Sequence, residues 1–173
     1  MAIDPIVSAG TQVNPQFWLN AANQAIRTEC GWHVAPIITE ELVLDGTGGK
    51  NLLVPSLRIR EVVSVKSDGR EVTDEVKFSR RAGVLTLASG WSCEVGSIEL
   101  TIRHGFDADE VPNVAALIVT LTKRAASSSA FVQQAVGPAS AKLATGRDGA
   151  ALGVPLMESE KDTLAPYRLN WGS

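Results

Sequence analysis

The chain has 173 residues, 45% of them apolar and 20% charged, enough to bury a core in one domain with appendages. Sixteen basic residues against nineteen acidic ones leave a formal net charge of -3, which disfavours tight neutralisation of nucleic-acid phosphates while still allowing DNA to pass nearby. No apolar run approaches the roughly 20 residues of a membrane span, and Met1-Ala2-Ile3-Asp4-Pro5 lacks the basic and apolar regions of a signal peptide; the expectation is a protein made and kept in a cytoplasm.

Residues 1–13 carry no periodicity and read as an arm that orders against a neighbour. Asn14-Pro15 then opens a helix, with Asn14 as N-cap and Pro15 at the first helical position. Leu19, Ala22 and Ile26 recur on one face, and Gly31 stands where a C-terminal cap wants a left-handed residue, so the helix is predicted over 15–29. From 37 to 104 the pattern switches to alternation and β-branched density. Strands are predicted at 37–44, 51–54, 57–66, 76–79, 84–87 and 97–103. Asp45-Gly46-Thr47-Gly48-Gly49, Ser67-Asp68-Gly69, Arg81-Ala82-Gly83 and Ser89-Gly90 punctuate them. Connections this short cannot hold a parallel crossover, so about six antiparallel strands should curl into a small sandwich or barrel.

After Gly105, Asp107, Asp109 and Glu110 place negative charge ahead of Pro112, where a second helix should start. Val114, Leu117, Ile118, Leu121 and Ala125 give it a 3.6-residue stripe. Lys123, Arg124 and Ser127-Ser128-Ser129 should weaken it toward its end, and Gly137-Pro138 should stop it. Residues 138–155 are rich in Gly, Ala and Ser and read as an arm lying on something else. A short helix should begin near Met157, with Ser159 and Asp162 at capping-box spacing, and Pro166 should end or kink it. Leu164, Tyr167, Leu169 and Trp171 remain as an apolar and aromatic cluster on a tether, suited to a partner's groove.

The candidate chemistry is sparse. Cys30, His33, Cys93 and His104 carry zinc-ligand types, but the second pair is poorly spaced for a zinc module. The bland reading is two buried cysteines and two structural histidines, with no resident metal or cofactor. A Cys30–Cys93 disulfide is disfavoured in a reducing compartment. Gly46-Thr47-Gly48-Gly49-Lys50-Asn51 lacks the Ser/Thr of a phosphate loop and joins two strands, so it reads as a hairpin loop. Neither histidine accompanies a serine in a nucleophile elbow. Glu40-Glu41 and Asp107/Asp109 read as solvated surface or helix-dipole partners, and Trp18, Trp32 and Trp91 as core or interface residues. No catalytic constellation emerges, and the expectation is a protein that is not an enzyme.

Several short stretches, taken in sequence, carry a resemblance: Cys30-Gly31-Trp32-His33-Val34-Ala35-Pro36, Leu52-Leu53-Val54-Pro55-Ser56-Leu57, Ser67-Asp68-Gly69, Trp91-Ser92-Cys93, His104-Gly105-Phe106-Asp107, and the run from Leu164 to Arg168. Together, over roughly 15–168, they make the chain resemble the head-to-tail adaptor (connector) proteins of tailed phages that infect actinobacteria. The resemblance implies a structural virion protein at the neck. Such proteins form a homo-oligomeric ring, usually of twelve copies, beneath the portal; the ring links portal to stopper, and genomic DNA passes through its lumen without specific binding.

By similarity to adaptors whose C-terminal segment inserts into the portal, Leu156, Leu164, Tyr167, Arg168, Leu169 and Trp171 are the expected portal-docking residues. Ile3, Ile6 and Val7 of the first arm and Lys142, Leu143 and Leu152 of the second are expected to reach ring neighbours. The fold class is then α+β: helices at both ends bracketing a small antiparallel sandwich or barrel-like insertion, with extended terminal arms. Its parts are an arm at 1–13, a core at 14–137 containing the β-block 37–104, and an extended arm with docking segment at 138–173. The competing readings are a stopper or tail-terminator neck protein, whose families are more purely β, and a small-barrel metal-binding enzyme.

Overall fold

The computed structural model describes residues 14–130 and 155–170. They form an α+β fold, in which the described residues contribute three α-helices and seven strands. Helix α1 (Pro15–Cys30) starts where the sequence places it, because the Asn14 side chain accepts the Phe17 N–H at 3.0 Å. It ends where Gly31, at φ 78°, donates its N–H back to the Arg27 carbonyl. Helix α2 (Pro112–Ala130) buries Val114, Leu117, Leu121 and Ala125 of the predicted stripe, with Ile118 half-buried. Its predicted stop at Gly137-Pro138 lies outside the described residues, as do the two arms at 1–13 and 138–154.

The strands are β1 (Ile38–Leu44), β2 (Asn51–Leu53), β3 (Ile59–Ser67), β4 (Arg70–Glu71), β5 (Val76–Phe78), β6 (Val84–Leu87) and β7 (Ile98–His104). All pair antiparallel, in two sheets ordered β1-β7-β3-β4 and β2-β6-β5, and neither described sheet closes into a barrel. The sheets share one apolar core built from Leu52, Val54, Leu85 and Leu87 on one side and Ile59, Val65, Ile98, Leu100 and Ile102 on the other, with Trp91 beside them. Period-two alternation generates it: β7 turns Ile98, Leu100, Ile102 and His104 inward.

Two turn readings divide. Asp68 and Gly69, at φ 53° and 73°, make the two-residue hairpin between β3 and β4, a turn whose twist matches that of its strands. The loop 45–50 is not a hairpin, because β1 and β2 belong to different sheets and do not pair; it carries the chain from one sheet to the other. β4 itself escaped the sequence pattern, being two residues long.

The chain divides into two compact units. The described residues of one are 14–26, 113–130 and 155–163, and those of the other are 27–112 and 164–170. The helical unit thus draws on both sides of the β-block, while residues after 163 join the β-block's unit. In the helical unit, Arg124 grips the start of α3 (Glu158–Leu164): its guanidinium meets Glu160 at 2.8 and 3.1 Å and the Pro155 carbonyl at 2.7 Å. Arg124 therefore serves as an anchor beyond its effect on its own helix. The cap of α3 also differs from the one expected at Ser159 and Asp162: the Glu160 carboxylate reaches back to the Met157 N–H at 2.8 Å.

Candidate functional site

The β-block's unit gathers its polar chemistry at one end of β7. Alternation puts Glu40 in the inward register of β1, among Ile38, Leu42 and Leu44, and His104 at the inward end of β7. Glu40 lies opposite Ile102 and Ile38 lies opposite His104, so Glu40 and His104 are diagonal neighbours on one face. His104 Nε2 donates to Glu40 Oε2 at 2.9 Å, since an ionised carboxylate can only accept. Glu40 is thus half-buried and engaged, where the sequence suggested a solvated acid. His104 is fully buried, and its Nδ1 has no hydrogen-bond partner.

His33 arrives from the link between α1 and β1. Val34 sits at φ 63° and the Ala35 N–H returns to the His33 carbonyl at 2.8 Å, a γ-turn that a β-branched residue adopts only under strain of about 1–3 kcal/mol. The turn lays the His33 ring against His104, with centroids 4.3 Å apart at 74°. His33 Nε2 donates to the Pro36 carbonyl at 2.9 Å. Gly105, at φ 111°, leaves the room: a Cβ there would lie 2.5 Å from His33 Nε2 and 2.6 Å from the Pro36 oxygen. Burial pushes both imidazoles below the ordinary value, His33 less its help from the Pro36 carbonyl and Glu40, His104 further through the neighbouring His33 and against the pull of Glu40. Both rings are therefore neutral near pH 7. One donor atom from each of His33, Glu40 and His104 lies within 4.8 Å of the others.

Aromatic rings and the C-terminal segment enclose this cluster. Trp32 stacks beside His104 at 6.4 Å and meets His33 edge-on at 5.4 Å. Its indole N–H donates to the Tyr167 carbonyl at 2.7 Å, across 135 residues of chain. The Leu169 N–H donates to the Cys30 carbonyl at 2.9 Å, Arg168 pairs with Glu29 at 3.4 Å, and Tyr167 meets Phe106 edge-to-face at 5.6 Å. On the other side of Phe106, Arg58 and Arg60 both bind Glu110, whose carboxylate also accepts the Asp107 N–H. Arg60 sits at a bulge of β3, where the register against β7 shifts between Ile59 and Glu61.

Of the residues expected to dock on a portal, Leu164, the last residue of α3, is fully buried in this chain. Tyr167 and Leu169 are half-buried in the strap just described, Arg168 is exposed apart from its pair with Glu29, and Leu156 is half-buried. The segment 164–169 is thus held by its own chain rather than dangling from a tether. Trp171, and the ring-neighbour residues Ile3, Ile6, Val7, Lys142, Leu143 and Leu152, lie outside the described residues. Of the four metal-ligand candidates, His33 and His104 converge and the cysteines do not join them. Cys93 precedes the start of β7 and His104 ends it, about 20 Å of strand apart. Both cysteines are free thiols, Cys30 buried and Cys93 exposed, so only one of the two buried cysteines expected from the sequence is buried. Trp32 and Trp91 are core residues and Trp18 is half-buried.

Glu40 is the member that residue spacing missed. The signal was present: a carboxylate in the apolar register of an alternating strand is out of place unless something pairs with it. No protein-family model matches the chain, and no curated protein matches it.

Proposed function

We propose that this chain is a structural virion protein, the head-to-tail adaptor that forms a ring beneath the portal and joins it to a stopper. The reading rests on the resemblance carried by the stretches from Cys30 to Arg168. The observation that supports it most is the discontinuous helical unit, drawn from both sides of an inserted β-block, which is the arrangement expected of a ring-forming helical core bearing a β insertion. Its work is noncovalent: contacts to copies of itself in a ring of twelve, to the portal, and to the next neck protein. DNA crosses the lumen without specific binding, and a net charge of -3 suits a passage that must not trap phosphates. Its place is the virion neck after synthesis in the host cytoplasm, with no membrane partner; no helix among the described residues is long and apolar enough to cross a membrane.

The strap refines the docking assignment. Leu164 supports the fold and Tyr167 and Leu169 are engaged in the strap, which leaves Arg168 as the exposed docking candidate among the described residues; Trp171 lies outside them. Negative-stain imaging of the chain mixed with its portal should show a ring on the portal's lower face. A chain ending at Asn170 keeps the strap and loses Trp171, and it should fold but fail to mount. Normal mounting by that truncated chain would remove the C-terminal docking assignment, and absence of any ring with the intact chain would remove the adaptor reading.

A further inference from the structure

We propose that His33, Glu40 and His104 form a binding site for one divalent transition-metal ion, zinc in the first instance, within a single chain. The donor set is chemically apt: two neutral imidazoles and one carboxylate are a familiar three-ligand set for Zn²⁺, with a fourth position for water. Hard ions such as Mg²⁺ and Ca²⁺ prefer all-oxygen sites.

Three observations support a built site over an accidental neighbourhood. The donor atoms already lie within 4.8 Å of one another, and His104 Nε2 and Glu40 Oε2 are 2.9 Å apart. Tetrahedral coordination with bonds of about 2.0–2.1 Å spaces donors about 3.4 Å apart, so roughly an ångström of movement completes the geometry. His33 and Glu40, which are half-buried, can supply that movement while His104 stays fixed. Second, His104 is fully buried and its ring makes one polar contact, Nε2 to the Glu40 carboxylate; a buried imidazole is an expensive way to fill space, since an apolar side chain would pack there without the penalty. Third, the backbone is cut away and strained where His33 enters, by Gly105 on one side and the Val34 γ-turn on the other. His33 also has its ring N–H held by the Pro36 carbonyl, the usual support of a metal-bound imidazole.

The site lies wholly in the β-block's unit and does not depend on ring formation or on the adaptor reading. Zinc chloride titrated calorimetrically into the full chain, free of any histidine tag, should give saturable binding of one ion per chain. The sequence holds two histidines, so the imidazole region of the NMR spectrum has two sets of signals, and one equivalent of Zn²⁺ should shift both. His33→Ala and Glu40→Gln should each weaken binding at least tenfold, while Cys93→Ser should leave it unchanged. Movement of neither or only one imidazole, tight binding retained in both site variants, or loss of binding in Cys93→Ser would each overturn the site. Circular dichroism checks that the variants fold, and if either does not, the two imidazole signals of the unaltered chain decide.

Discussion

His104 and its neighbours hold the most testable chemistry in the chain. Burial keeps both imidazoles below the ordinary 6.5, so the unfolded chain binds protons that the folded chain refuses. Stability from this source is complete above about pH 6.5 and falls as pH drops below it. The Tm should therefore decline as the pH is lowered below about 6.5, and His33→Asn should shrink that decline, since it removes one buried imidazole and relieves the other. An undiminished decline in the variant would show that other groups govern it. Gly105→Ala should lower stability by about 1–3 kcal/mol, seen as a lower Tm, because a side chain at φ 111° both strains the backbone and meets His33. The cysteines separate cleanly. Burial, with Glu29 adding to it and Arg168 opposing, raises the Cys30 thiol to about 11, so it stays protonated and unreactive. A maleimide should label one thiol quickly, and Cys93→Ser should abolish that fast phase; rapid labelling in the variant would contradict the burial of Cys30.

Helix α3 shows how a seven-residue element persists when its own propensity is insufficient. Arg124 supplies a bidentate grip on Glu160, with side chains 15% and 13% exposed, so water screens the pair little. Arg124→Ala strips the partner from a largely buried carboxylate and should destabilise the helical unit by roughly 3–5 kcal/mol. Hydrogen exchange would register it as lost protection in α3; unchanged protection would mean the helix is held by something else. Pairing the change with Glu160→Leu should recover much of the loss, because no uncompensated charge is then left behind. The surface pairs Lys66–Glu99 and Arg70–Glu75 are exposed, and their removal should matter far less.

For the molecule entire, the described helical unit draws on segments from both sides of the β-block, and in the adaptor reading proposed above it is the part that carries the ring. The ring on its portal, and its failure when the chain ends at Asn170, are the outcomes that bear on this reading. The C-terminal strap changes how such experiments should be cut. Removing everything after Leu156 would take away Leu164, the Tyr167 carbonyl that satisfies Trp32, and the Leu169 link to Cys30, so assembly and folding would fail together.

Local chemistry was legible in the residues. Asn14-Pro15, Gly31, Asp68-Gly69 and Pro112 marked their boundaries because caps and turns act over three or four residues, and the alternation of 97–103 announced a half-buried strand, observed at Ile98–His104, because one face of a sheet must be apolar. The partners of those strands were not legible. β7, last of the strands, sits between β1 and β3; pairing at that separation is selected by which faces bury together, and alternation alone is the same for every candidate neighbour. His104 meets Glu40 across 64 residues and Trp32 meets Tyr167 across 135, so the cluster and the strap exist only once the sheet and the chain's end have closed around them. Sequence could name the histidines; folding chose Glu40 for their company, because a buried imidazole must find an acceptor wherever the packed strands put one.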